Sequence, residues 1–298
     1  MNLNTKQKYA YIYGLLAVVL WSTVASAFKL TLDCFAPIGL LFYSVLFSLF
    51  VLGLIIVKER KTGLLFSYSR RDYLKLVSLG FINPFFYYLV LFKAYDLLPA
   101  QVAQPINYTW ALTLSYMSFF ILKQKLGIYD FLAGIICYVG ILIISTKGDL
   151  FGLDFTSKEG VVLAFSSTIL WSLYWIYSTK LDVDLIVGLF VSFLSGFVWI
   201  FLYMLLFSKS FEPNLYGVLG SAYIGCFEMG VTYVFWLKAM KLTSSSSKIA
   251  NLIFISPFLS LVFIYFFVGE KILLSTLTGL GLIVLGLLLQ QKKEKKRL

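Results

Sequence analysis

Twelve residues into an apolar stretch covering 216–238 stands a carboxylate, Glu228, with Gly225 and Gly230 beside it. A charged side chain at the centre of a membrane helix costs about 2.5–3.5 kcal/mol, so a carboxyl kept there calls for a reason. Two stay open: a hydrogen-bonding post between helices, or a protonatable or cation-binding site that exchanges a proton during a working cycle. Amides extend the polar set. Gln104 and Asn107 are three apart and share one helical face, with Trp110 one turn further on; Asn83 precedes Pro84, and Asn251 precedes Ser256-Pro257. Amides both donate and accept, so they can hold zwitterions or neutral polar solutes without imposing a charge. Trp21, Trp171, Trp175, Tyr87 and Tyr233 lie in the same polar stretches and are candidate walls or gates of a binding site. Packing between helices is the competing explanation for the amides, and core or lipid contact for the aromatics.

The elements that position these residues follow from composition. Of 298 residues, 60% are hydrophobic, 18% aromatic and only 13% charged, against about 45–50% apolar and about 25% charged in a soluble domain. Too little charge remains to cover the surface of a soluble globule. The chain reads as an all-α polytopic membrane protein with ten apolar runs: 9–29, 36–57, 74–95, 99–122, 128–146, 160–180, 185–207, 216–238, 245–267 and 272–290. Each approaches the roughly 20 residues that cross the hydrocarbon layer. Lys6 and Lys8 precede the first run and Ala25-Ser26-Ala27 lies near its end, but its length and Trp21 make it a retained span rather than a signal peptide. The loops are too short for a separate soluble domain.

Lys and Arg distribute unevenly over alternate loops. With the N-terminus inside, 19 of the 25 fall on the inner side and 6 on the outer, which predicts both termini on the cytoplasmic side. The net charge of +11 is therefore topological and implies no nucleic-acid partner. The short lysine-rich tail and the absence of a targeting signal point to a bacterial-type inner (cytoplasmic) membrane.

The two halves of the chain resemble each other. Leu20-Trp21-Ser22 matches Leu170-Trp171-Ser172, Lys93-Ala94 matches Lys238-Ala239, Asn107 matches Asn251, Gln124-Lys125 matches Glu270-Lys271 and Gly140 matches Gly286. The order is shared and the offset drifts only from 150 to about 144–146. Because five crossings are an odd number, the second half enters from the opposite face. The chain thus divides into residues 1–147 and 148–298, two inverted five-helix repeats, an architecture suited to alternating access. The Lys93/Lys238 register makes Asn83 the counterpart of Glu228. Pro84 removes a backbone donor and can kink its span.

On these residues the chain resembles the drug/metabolite transporter superfamily in its ten-span EamA-type form. The resemblance is carried by the two Leu-Trp-Ser triplets, the two Lys-Ala endings, Ser256-Pro257-Phe258, Gly269-Glu270-Lys271 and the glycine-rich last run with Gly279, Gly281 and Gly286. Asn107-Tyr108-Thr109-Trp110 is similar to a motif of the branch that exports aromatic and other amino acids, with Ala111 where that branch has proline. The resemblance implies a secondary transporter of small organic solutes, often an exporter. Its central cavity would be lined by spans three, four, eight and nine and by the first span of each half.

What is missing narrows the function further. The chain has no histidine; Cys34, Cys137 and Cys226 are far apart without CxxC spacing, so no zinc site or disulfide framework is implied. There is no G-x-x-x-x-G-K-[ST] loop, and neither nucleotide nor other cofactor is expected. An intramembrane enzyme would need paired aspartates, a metal set or a nucleophile–base pair at depth, which this sequence does not offer. The expected partners are a small-molecule substrate and membrane lipid. Three transport modes stay open: a proton-coupled exporter with Glu228 as the coupling group, an uncoupled facilitator, and a multidrug or metabolite efflux protein.

Overall fold

In a computed structural model the protein is described over residues 3–123, 126–150, 155–207, 214–243, 249 and 251–294. Gln124-Lys125, Lys248 and the tail beyond residue 294 lie outside the described residues, as does the side chain of Asn251. Among the described residues every regular element is helical. We number them α1 (Leu3–Leu32), α2 (Pro37–Lys58), α3 (Arg70–Gly80), α4 (Tyr87–Leu97), α5 (Ala100–Tyr108), α6 (Trp110–Leu122), α7 (Ile128–Ser145), α8 (Lys158–Ser178), α9 (Leu185–Phe207), α10 (Leu215–Tyr223), α11 (Thr232–Leu242), α12 (Ser256–Phe263) and α13 (Leu274–Glu294). Seven stretches are long and apolar enough to cross a membrane on their own; Leu252–Val268 and Leu274–Gln290 are shorter apolar helices.

Several runs that read as single helices are interrupted. Residues 99–122 form α5 and α6, separated at Thr109. The Thr109 hydroxyl donates to the carbonyl of Ile106 at 2.7 Å, a back-bond that tightens and bends helices. Between α3 and α4, Asn83 leaves the helical region (φ −141°, ψ 118°), since a residue before proline is pushed out of the α conformation. Between α10 and α11, Ile224–Val231 is π-helical, a widened turn that recurs at functional sites.

The chain folds into two compact units. The first comprises Met1–Phe85 and Asp182–Val268, the second Phe86–Leu181 and Gly269–Leu298. In the first, α1 packs against α11 and α12, α2 against α9 and the π-helical segment, and α3 against α9. Small residues let these backbones approach, as helices in lipid require. A Cβ on Gly225 would overlap the Ser44 carbonyl oxygen, and one on Gly80 would overlap that of Ser192. Ala10, Ala239 and Ile249 form a buried cluster under Tyr11, Tyr13 and Trp236. In the second unit α7 packs along α13, and α8 against α4, α5 and α6; the α7–α13 seam closes at Gly140 and Gly279, each facing the other's carbonyl. Large apolar residues such as Phe50, Leu206 and Phe266 stay exposed and meet lipid rather than water.

Polar clasps fix the ends of these helices. In the second unit Gly269 takes φ 77°, and the chain turns so that Glu270 meets the start of α5. Its two carboxylate oxygens accept from the backbone N–H groups of Ala100 (2.7 Å) and Gln101 (3.1 Å). The Gln101 amide completes the clasp, donating to the carbonyl of Lys271 and accepting from the N–H of Leu273 and the hydroxyl of Thr276. A carboxylate at a helix N-terminus satisfies orphan donors and complements the helix dipole. Glu270→Ala is expected to destabilise the protein by about 1–2 kcal/mol, and Glu270→Gln by less because one acceptor remains. Thermal unfolding in detergent reads both; equal melting of Glu270→Ala and the parent would show that the clasp is dispensable.

In the first unit the α2–α3 loop is tied to the start of α9. Lys61 bridges Glu59 (2.9 Å) and Asp184 (2.8 Å), and Asp184 accepts from the N–H groups of Ile186 and Val187. Partial burial pushes the Asp184 carboxyl up, but hydrogen bonds and charge from Lys61 and the two N–H groups outweigh it and hold the group below its ordinary range. Burial likewise pulls Lys61 down, and the hydrogen bonds and charges of Asp184 and Glu59 outweigh it, leaving Lys61 raised. A depressed carboxyl stabilises the fold above its unfolded pKa of about 3.9 and ceases to as pH falls through its folded value; a raised lysine stabilises below about 10.4 and ceases to above its folded value. Asp184→Asn keeps the capping oxygen and removes the charge. It is expected to cost about 1 kcal/mol near neutral pH, with the deficit closing below about pH 4. Paired thermal melts across pH check this; a deficit constant with pH would assign the effect to packing.

Candidate functional site

In the second unit the structure gathers five of the residues singled out in the sequence. Asn107, near the end of α5, donates from Nδ2 to the Ser167 hydroxyl of α8 at 3.0 Å and lies 3.5 Å from the Tyr87 hydroxyl. The Tyr87 ring, at the start of α4, lies 4.7 Å from that of Trp171. Trp171 in turn meets Trp110 edge-on at 6.4 Å and Trp175 at 5.9 Å. Tyr87 is buried, while Asn107, Trp110, Trp171 and Trp175 are half-buried. The result is an aromatic wall with an amide and a hydroxyl at its edge. Helical geometry explains the grouping: Ser167, Trp171 and Trp175 are spaced by four along α8 and share one face.

Among the atoms of this unit buried without a hydrogen-bond partner are the Gln104 amide oxygen and the Trp175 indole nitrogen. Gln104 stands one turn before Asn107 on α5. A lost hydrogen bond at a buried polar group costs about 1–3 kcal/mol. An acceptor and a donor left open this way are groups that a polar ligand or water satisfies. The sequence reading did not single out Ser167 or Tyr174, which stacks on Trp171 at 5.8 Å; their spacing from Trp171 was the available signal.

In the first unit a smaller cluster forms around Trp21. Its indole meets Tyr233 edge-on at 5.9 Å and Trp236 at 5.4 Å. Trp236 was not anticipated, although it lies three residues beyond Tyr233 on the same face of α11. The neighbouring Ser22 donates to the Val18 carbonyl and lies 3.2 Å from the Ser256 hydroxyl. Glu228 is half-buried within the π-helical segment, which packs against α1 and α2. One residue along, the Met229 carbonyl accepts from Ser48 at 2.8 Å. Asn83 is fully buried, and neither its amide oxygen nor its nitrogen has a hydrogen-bond partner; Pro84 beside it packs on Gly196 of α9. Among the described residues no group of three or more His, Cys, Asp or Glu could hold a metal ion.

The chain's relatives agree with a membrane protein built this way. An uncharacterized transporter of Clostridium kluyveri is 25% identical over 301 residues, covering 97% of this chain and 95% of that protein. The uncharacterized transporter YvbV of Bacillus subtilis is 27% identical over 210 residues, covering 66% of this chain and 65% of its own length. A solved crystal structure of another protein superposes with a TM-score of 0.69 at 20% identity, covering 96% of this chain and 98% of that one, a likeness of fold. The profile of the EamA-like transporter family matches residues 8–146 and again residues 158–290. With two matches that together span nearly the whole sequence, the chain belongs to the EamA-like transporter family.

Proposed function

We propose that the protein is a secondary transporter of amino acids or related small organic metabolites, an exporter that works by alternating access and is driven by protons. In this reading the ten apolar segments form two inverted five-span repeats with both termini in the cytoplasm. Tyr87, Trp110, Trp171, Trp175, Asn107 and Gln104 contact substrate, Trp21, Tyr233, Asn83 and Asn251 contribute further contacts, and Glu228 carries the coupling proton. Neutral amides beside aromatic rings suit a zwitterion or polar metabolite with an apolar side chain.

The observation that carries the reading is how the helix pairings repeat. If each segment of the first half is exchanged with its counterpart in the second, α1 against α11 becomes α8 against α4, and the π-helical segment against α2 becomes α3 against α9. The correspondence extends to single residues. Gly225 on Ser44 becomes Gly80 on Ser192. Duplicated packing of this kind supports two repeats that can trade conformations, which alternating access requires.

Purified protein in liposomes, with a pH gradient imposed and a panel of amino acids and amines supplied, tests the proposal. Accumulation of at least one solute beyond equilibrium, dependent on the gradient, is expected. Equilibration without accumulation would make the protein a facilitator, and no movement of any solute would remove the functional assignment.

A further inference from the structure

From the α2–α3 loop we infer that the protein carries a docking site for anionic phospholipid, independent of the transport reading and resting only on its membrane location. The loop is tethered at three points. Lys61 is drawn to Asp184, the Tyr68 hydroxyl accepts from the Asp184 N–H at 2.9 Å, and the Tyr73 hydroxyl donates to the Leu65 carbonyl at 2.6 Å. Yet this pinned loop presents Phe66 outward, 88% exposed, with Leu64 also exposed. A phenylalanine held in water forgoes about 1.5–3 kcal/mol of burial, and a fixed loop cannot fold it away. The loop leaves α2 beside the exposed Leu54 and Val57 and enters α3, where Arg70, Leu74 and Val77, with Phe81 just beyond its end, are spaced to share one face; Leu74, Val77 and Phe81 are exposed. Both flanking helices therefore turn apolar side chains outward, and Phe66 lies in the loop that joins them.

Charge identifies the lipid. Lys58, Arg60, Arg70 and Arg71 surround Phe66 in sequence and are exposed; they enter no ion pair among the described residues, whereas Lys61 and Lys75 do. An apolar anchor flanked in sequence by uncompensated cations at the end of a membrane helix matches the chemistry of an anionic headgroup above an acyl chain. Phe66 enters the acyl boundary while the arginine guanidiniums hold the phosphate, a geometry their planar fork favours over lysine.

The test adds a reporter at the anchor, with Phe66→Trp reconstituted into bilayers containing brominated phosphatidylglycerol or brominated phosphatidylcholine. The fluorescence gained over the parent is expected to be quenched at least about twofold more strongly by the anionic lipid. Arg60→Gln, Arg70→Gln and Arg71→Gln together are expected to abolish that preference. Because Phe66 and the arginines are exposed, folding is not at stake, and the parent's thermal melt controls for it. Absence of quenching by either lipid would overturn the inference, whether the loop then meets water or a second copy of the chain. Equal quenching by both lipids, unchanged by the arginine substitutions, would also overturn it, leaving apolar insertion without headgroup recognition.

Discussion

Gly225→Ala is expected to lower the stability of the protein by about 3 kcal/mol or more, the upper range for overpacking, and Gly80→Ala to do the same. At each position the added methyl meets the backbone carbonyl of a neighbouring helix, Ser44 in one case and Ser192 in the other. A flexible side chain could step aside, but a helix backbone moves only by displacing everything packed on it. The seam between α2 and the π-helical segment also carries the bond from Ser48 to the Met229 carbonyl, so forcing it open disturbs the turn that holds Glu228. Gly281→Ala is the control. Nothing lies within 4 Å of that position, and exchanging glycine for alanine in an open helix gains up to about 1 kcal/mol. Thermal unfolding in detergent should therefore move down for Gly80 and Gly225 and level or up for Gly281. A common response of all three would mean that helix propensity, not backbone contact, governs these sites.

Glu228→Gln is expected to abolish the proposed gradient-driven accumulation in liposomes while leaving the protein folded. Glutamine has nearly the same shape and keeps one carbonyl acceptor, but it cannot release a proton, so the proposed coupling reaction would lose its carrier. Removing a charged group from membrane depth also relieves an insertion cost of about 2.5–3.5 kcal/mol when that group is ionised, so the variant's melting point should not fall. Downhill movement of substrate should persist, because the proposed aromatic and amide contacts are untouched. Full accumulation by Glu228→Gln would return Glu228 to a structural role. Loss of accumulation together with loss of stability would do the same, since a hydrogen-bonding post fails in both respects.

Gly225 illustrates the boundary between sequence and tertiary structure. Its presence near Glu228 is legible in the chain, but the carbonyl it accommodates belongs to a helix some 180 residues away in sequence. The apolar runs, the loop charges and the near-constant offset between halves are legible for a different reason. They reflect the bilayer's demand for helices of sufficient length and the repeat's demand for like residues at like positions, both local or periodic in the sequence. The aromatic wall of Tyr87, Trp110, Trp171 and Trp175 was partly legible, because spacing by four on α8 puts its residues on one face. Ser167 lies four residues before Trp171 and Trp236 three beyond Tyr233, but only packing shows that they touch Asn107 and Trp21.

Three features could not be read from the sequence, the first settled locally and the other two by tertiary structure. The division of residues 99–122 at Thr109 depends on a hydroxyl choosing a backbone carbonyl over its other options, an energy difference too small to read from residue type. Asn83 could be foreseen as polar and kinked, but whether its amide found a partner depended on the helices packed around it, and none is provided. Glu270 could be read only as part of a short motif. That it clasps the start of α5, about 170 residues earlier, follows from the fold bringing an acceptor to a helix end whose N–H groups have no partner within their own helix. Sequence set which segments enter the membrane, because hydrophobicity is summed along the chain. The fold alone set which polar groups are paired, because each hydrogen bond depends on positions of a few tenths of an ångström that no single segment controls.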